Sequence, residues 1–479
     1  MLSMRYGKFS VMASNQVLTL PYAYQIKSVR QAHLWKGRAL LALDMGLGKS
    51  FVALLYALRH PKLRPIVVVC PAGVKWVWER EAKTHAGMFV EVLEGMKPPS
   101  HGIPPLHSIV VVNYDILGPW LKHLKALRPK LVILDECHML LSRTSKRTKL
   151  CRKLCKGVSS VLALSGTPEV IRPVELFPVL NILRSDLFPN FHDFGHRFCG
   201  PKLNQFGQWE FRGSSNIEEL NKLLKHVMVR YRKQDVLTQL PPKQRIVVPL
   251  EIVNKNKYAE ATNNFSLWLK RYKPGKAHKA TKAKALMMGG YCKRLAAQLK
   301  LKQVFDWIDN FLADSASKLI LFAIHRDIVK QLHERYAKIS VVIDGSVVKD
   351  KRRIAIESFN HDRKIRLLIG NIKAAGVGWS ATNCSDVAFV EYEWAPGIHT
   401  QAEDRVHGLK RGVKGVRATA WYLVARDTIE EKLVKLLQER QRVINRTLDG
   451  DRDGDDLSIF DILTKELLKA DLSRAVRNQ

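Results

Sequence analysis

The stretch Ala39-Leu40-Leu41-Ala42-Leu43-Asp44-Met45-Gly46-Leu47-Gly48-Lys49-Ser50 decides how this chain is read. Its first five residues are an apolar run of strand length, and the pattern 51–58 behind the turn is helical. Strand, glycine-containing turn and helix start, in that order, build a cradle for phosphate. Glycines let backbone N–H groups approach the anion, a lysine neutralises the β/γ charge, and a hydroxyl at the helix start can ligate Mg2+. Gly46, Leu47, Gly48, Lys49 and Ser50 are therefore candidate ATP-binding residues, with Ser50 also a candidate metal ligand. Gly-Lys-Ser is common by chance, and the residue five before Gly48 is Leu43 rather than the usual glycine, so the motif needs company.

Company comes from the strands that follow. Residues 66–70, 109–113, 131–134 and 161–164 are further apolar runs, each ahead of a loop or helix start. Strands alternating with helices predict a parallel, doubly wound sheet. The strand 131–134 runs into Asp135-Glu136, two adjacent carboxylates at a strand end. Asp135 suits Mg2+, and Glu136 suits the orientation and deprotonation of an attacking water. Isolated, the pair would be two solvated acids. Ser165-Gly166-Thr167-Pro168 follows the next strand. The hydroxyls of Ser165 and Thr167 are placed to sense hydrolysis and couple it onward; alone, the motif is a tight turn.

The second half repeats the theme with strands at 319–323, 340–343, 366–369, 386–390 and 418–424. The predicted fold is thus α/β, with two tandem P-loop lobes and helical insertions. Lobe 1 takes 1–232, with an insertion at about 174–226. Lobe 2 takes 233–448, with a basic helical insertion at about 255–302. An acidic linker and C-terminal helix fill 449–479. The join falls near 232–243, where Leu240-Pro241-Pro242 interrupts any helix.

The chain has 479 residues and a formal charge of +35, which points to a polyanion partner rather than to solubility alone. Residues 261–305 contain no acid, and Lys279, Lys282 and Lys284 lie there among Trp268, Tyr272 and Tyr291. Charge runs are usually solvated faces. An acid-free run with interleaved aromatics reads better as a surface that tracks phosphates, so these lysines are candidate nucleic-acid contacts. No apolar run reaches membrane-spanning length. The seven cysteines are scattered, and Cys151 and Cys155, four apart, read as structural thiols for want of further metal ligands. Asp449-Gly450-Asp451-Arg452-Asp453-Gly454 begins like a Ca2+ loop but has Phe460 where a bidentate glutamate belongs.

Taken in order, these pieces resemble the Swi/Snf family of superfamily 2 DNA-dependent ATPases. The resemblance adds Gln25, in Pro21-Tyr22-Ala23-Tyr24-Gln25, as an adenine reader. It adds Gln401-Ala402-Glu403-Asp404-Arg405-Val406-His407 as the segment that supplies catalytic groups, Gln401 and Arg405, from lobe 2. It also adds Trp394 beside bound DNA, with a core tryptophan at a strand end as the equal alternative. Two lobes of the RecA-like kind, ATP with Mg2+, and translocation on duplex or forked DNA are what it implies. Asp235-Val236-Leu237 and Gly213-Ser214-Ser215-Asn216 resemble the annealing-helicase branch. The family's second arginine falls at Gly408 here, with Lys410 or Arg411 as substitutes. A monomer is expected; protein partners are not legible. The compact core favours a bacterial or phage-infected host cytoplasm, with the nucleus as the alternative setting. The rival functions are a DExH-type RNA helicase and a nucleotide-gated DNA-binding scaffold with weak turnover.

Overall fold

The computed structural model describes residues 19–98, 109–166, 172–204, 207–211, 213–237, 240–241, 243–271, 279–345, 347, 349–375, 379–408 and 416–434. The chain forms two compact units. The first comprises 1–170, 174–194 and 219–236, and the second 171–173, 195–218 and 237–479. In chain order the strands are β1 (Arg38–Leu43), β2 (Ile66–Cys70), β3 (Val90–Val92), β4 (Ile109–Asn113), β5 (Leu131–Leu134), β6 (Ser160–Leu164), β7 (Lys202–Leu203), β8 (Trp209–Glu210), β9 (Met228–Tyr231), β10 (Gln244–Leu250), β11 (Leu319–Ala323), β12 (Ser340–Ile343), β13 (Leu367–Asn371), β14 (Asp386–Phe389) and β15 (Thr419–Ala425).

The first unit is built on a seven-stranded sheet, β3-β4-β2-β5-β6-β1-β9. Every neighbouring pair is parallel. Its inner strands β2, β4, β5 and β6 are buried at every residue. That is why they read as unbroken apolar runs instead of alternating ones. The second unit is built on a six-stranded parallel sheet, β10-β15-β14-β11-β13-β12. Successive residues of β11 serve its two faces. Ile320 and Phe322 enter one core cluster, while Leu319, Leu321 and Ala323 enter the other. Two tandem α/β lobes of RecA-like type are the result, as the sequence implied.

The structure adds three sheet strands that the sequence reading lacked: β3, β9 and β10. All three are edge strands. The segment after residue 183 is also less helical than expected. It carries the antiparallel hairpin β7–β8 between the helices Phe191–Phe198 and Ile217–Leu224. Residues 195–218 group with the second unit, where the sequence reading assigned the whole insertion to the first lobe. Local backbone bonds tie this piece together: Gly213 N donates to Cys199 O and Ser215 N to Phe198 O.

The basic insertion forms two helices, Lys255–Arg271 and Lys279–Asp314. The side chains of Lys279, Lys282 and Lys284 lie outside the described residues, as do Thr167, Lys410, Arg411, the run 449–454 and the expected terminal helix. All seven cysteines are free and buried. Cys151 and Cys155 share the helix Lys146–Cys155, and burial pushes the Cys155 thiol up to about 12. Among the described residues no cysteine, histidine or acid cluster could hold a metal by itself, and no helix is long and apolar enough to cross a membrane.

Candidate active site

Strands β5, β6 and β1 lie side by side in the first sheet and run parallel, so their C-terminal ends share one edge. That edge receives Asp135 and Glu136 from β5, Ser165 and Gly166 from β6, and the phosphate loop from β1. Ligands collect at such carboxyl edges in open parallel sheets.

The loop turns through Gly46 (φ 90°) and Gly48 (φ 75°), left-handed positions that suit glycine. Leu43 is the last, fully buried residue of β1, so the turn begins after it and needs no glycine there. A Cβ on Gly48 would lie 2.7 Å from Gln25 Nε2. The reason is that Gln25 packs on the loop itself. Its Nε2 donates to Leu47 O at 3.0 Å, and its Oε1 accepts from Tyr22 N at 2.9 Å. The Tyr24 hydroxyl donates to the same Leu47 carbonyl at 3.0 Å. Gln25 thus braces the loop as built.

Lys49 opens the helix Lys49–Arg59 and is 8% exposed. Its Nζ would lie 2.6 Å from a Cβ on Gly166, as would Met45 Cγ. A larger residue after Ser165 would have to displace the ammonium from this position. Ser50 follows in the first turn of the same helix, where unpaired N–H groups and the helix dipole favour anions.

Asp135 and Glu136 are held rigidly. Asp135 Oδ2 accepts from Trp78 Nε1 at 2.7 Å and Oδ1 from Glu136 N at 2.9 Å, while Tyr114 Oη donates to Asp135 O at 2.7 Å. Glu136 sits at φ 48°, an unusual backbone for a non-glycine residue and a form of strain that concentrates at functional sites. Burial and the neighbouring Glu136 charge push the Asp135 carboxyl up, against the Trp78 hydrogen bond and Lys49. Burial also acts upward on Glu136, but His138 and Lys49 outweigh it and hold that carboxyl down. His138 Nδ1 lies 3.3 Å from Glu136 Oε2, and no aligned hydrogen bond reaches that buried oxygen. The same His138 nitrogen is 3.4 Å from Ser165 Oγ, so the β5 and β6 motifs touch directly.

In the second unit, the helix Pro396–Glu403 carries Gln401 and leads to Arg405. Arg405 is 1% exposed. Its guanidinium donates to Trp379 O and, at 3.2 Å, to Gln401 O, so it is built into its own unit. Gly408 is buried. Trp394 is half-buried against two core clusters, and the Lys293 ammonium sits 4.9 Å from its ring centroid. Residues 376–378 lie outside the described residues.

Trp78 and Tyr114 are site residues that the sequence did not single out for this role. Trp78 is core and hydrogen-bonds the acid. No spacing signal links it to a residue so far along the chain.

Residues 24–304 match the SNF2-related domain family, and residues 300–409 match the helicase conserved C-terminal domain. With the site on β1, β5 and β6, these matches define an ATPase of helicase superfamily 2. The SWI/SNF-related matrix-associated actin-dependent regulator of chromatin subfamily A-like protein 1 of Xenopus laevis is 33% identical over 437 residues, 88% of this chain and 43% of that protein. The mouse DNA annealing helicase and endonuclease ZRANB3 is 29% identical over 426 residues, 86% of this chain and 39% of that protein. A solved Sulfolobus solfataricus SWI2/SNF2 ATPase core in complex with dsDNA aligns over 92% of this chain and 96% of that one, at 20% identity and TM-score 0.44. The chain belongs to the SNF2-related family, and the resemblance to the annealing-helicase branch is borne out by these relatives. It spans less than half the length of the Xenopus and mouse proteins. The expected bacterial or phage setting does not stand. The relatives come from frog, cattle, worm, mouse, human and fly, and several are named for chromatin. A compact motor core is no mark of origin, since it recurs inside much longer animal proteins.

Proposed function

We propose that this chain is an ATP-driven motor that translocates on duplex or forked DNA and rewinds strands. Supporting this most directly is the group of Lys49, Gly166, Asp135, Glu136 and Ser165 on one sheet edge, in a chain whose relatives include named annealing helicases. Lys49 and the N–H groups at the start of its helix bind the β- and γ-phosphates. Glu136 is the general base. His138 and Lys49 keep it ionised, and its Oε2 carries no aligned hydrogen bond. Ser165, beside His138, reports the state of that base to the rest of the chain.

Ser50 and Asp135 fit Mg2+, which needs only one or two protein oxygens beside phosphate and water. Bound there, the ion would neutralise charge on the transferring phosphoryl group. Trp78 and the Glu136 N–H fix the carboxylate that would hold it. Gln25 fixes the loop that would receive the nucleotide. Arg405 and Gln401 supply lobe 2 groups, and the basic helices 255–271 and 279–314 with Trp394 take the DNA.

The test is phosphate release with single-stranded, duplex and forked DNA and with RNA. Duplex or forked DNA should stimulate most, and Lys49→Ala should abolish the signal. Stimulation by RNA alone would favour the RNA-helicase reading. Release equal to that of Lys49→Ala would leave a binding scaffold.

A further inference from the structure

The segment that leaves the first unit and enters the second is gripped at both ends by carboxylates from nucleotide motifs. At its start, β9 pairs with β1 in parallel, so the phosphate-loop strand lies beside the exit strand. Asp44, the first residue of the loop, accepts from Arg230 Nη1 at 2.7 Å and from Lys233 N at 2.9 Å. Arg230 Nη1 also donates to Ala42 O at 3.1 Å, and Asp44 N donates to Tyr231 O at 3.0 Å. Lys233 opens the short helix Lys233–Val236, the last piece of the first unit.

At the far end, Lys243 and β10 begin the second sheet. Lys243 Nζ reaches Glu403 Oε2 at 2.7 Å and Asp404 Oδ1 at 3.1 Å. Arg245 forks onto both Glu403 oxygens at 2.7 and 2.8 Å, and Tyr422 Oη donates to Oε1 at 2.9 Å. His407 Nε2 lies 3.1 Å from Pro241 O, which carries the grip back into the linker. The Glu403 side chain is fully buried. Burial alone would raise its pKa, yet Lys243 and Arg245 bring it down to about 2.

A buried ion pair is poor evidence for stability, because desolvation offsets most of its attraction. A set of charges placed between the segment that joins the units and a nucleotide motif is better suited to fixing geometry. We infer that Asp44 with Arg230, and Glu403 and Asp404 with Lys243, are positioning pairs that tie the interlobe segment to the nucleotide motifs and so convert hydrolysis into lobe movement. This rests on the translocase reading above and goes beyond it by assigning the transmission.

Lys243→Met and Arg230→Met test it, because neither residue belongs to the nucleotide site. Lys243→Met leaves the Arg245–Glu403 fork intact, so the fold should survive, and a thermal melt checks that. Phosphate release and displacement of a third strand from triplex DNA are measured in the same reaction. The expected result is ATP KM and DNA-free turnover close to wild type, with displacement per ATP lowered about tenfold, inside the usual range of site-to-site coupling. Lys243→Arg, which keeps the charge, should restore displacement. Unchanged displacement per ATP, or displacement and hydrolysis falling in parallel, overturns the inference. If the wild-type chain itself releases no phosphate with duplex DNA, the translocase reading fails first and this inference falls with it.

Discussion

The two units use their motif residues in opposite ways. In the first, Lys49, Asp135, Glu136 and Ser165 converge on one sheet edge, and their neighbours exist to aim them: Gly166 clears room for Lys49, and Trp78 orients Asp135. In the second, Arg405 donates to carbonyls of its own unit, and Glu403 is locked to Lys243 and Arg245. The first unit therefore gathers its motif residues at one edge, and the second ties them into its own packing. Motif order alone does not reveal that division, because both sets look equally functional as letters.

The largest expected effects fall in the first unit. Lys49→Ala should remove ATP binding, and Glu136→Gln should remove hydrolysis while leaving ATP bound; nucleotide binding followed by fluorescence separates the two. Arg405→Ala should break the comparison if it is wrong. With its guanidinium buried, the variant should lower the melting temperature of the protein as well as turnover, since it loses the hydrogen bonds to Trp379 O and Gln401 O. A loss of turnover with an unchanged melt would instead make Arg405 a dedicated catalytic group.

Trp78→Phe should cost about tenfold in turnover, the scale of one lost hydrogen bond to a charged group. Its pH profile carries a sign. The indole bond favours ionised Asp135, so removing it should raise that pKa further and move the acid limb of activity to higher pH. An unmoved acid limb would mean that Asp135 is not the titrating group. Neutralising Lys279, Lys282 and Lys284 should flatten the salt dependence of DNA binding by up to about three units of log–log slope. An unchanged slope would return that run to a solvated face.

A separate effect lies in acid stability. Glu403 has a folded pKa of about 2 against an ordinary 4.5, so unfolding favours its protonation. Its contribution is fully present above about 4.5 and is lost as pH falls through about 2. Glu403→Gln should flatten the acid limb of a chemical-denaturation series in that window and leave its neutral limb parallel to wild type.

What the sequence showed and what it hid divide on physical grounds. Inner strands such as β2 and β5 are buried on both faces and so appear as apolar runs. The missed strands β3, β9 and β10 are sheet edges. Few of their residues are fully buried, and β10, Gln244-Arg245-Ile246-Val247-Val248-Pro249-Leu250, largely alternates between exposed and half-buried at an edge position that also tolerates the proline. Lys49, Asp135 and Glu136 were legible because loop and strand-end chemistry is local. Trp78, Tyr114 and the Asp44–Arg230 pair were not, because their partners are far along the chain and only the sheet order, β4-β2-β5 for the first two and β1-β9 for the pair, brings them near.

The most direct test of the account is single-turnover phosphate release by wild type and Glu136→Gln, each saturated with ATP and duplex DNA. The account predicts a burst from wild type and none from Glu136→Gln, with equal ATP occupancy in both. A Glu136→Gln burst like that of wild type would contradict the assignment of Glu136 as the base, and with it the site built on β1, β5 and β6.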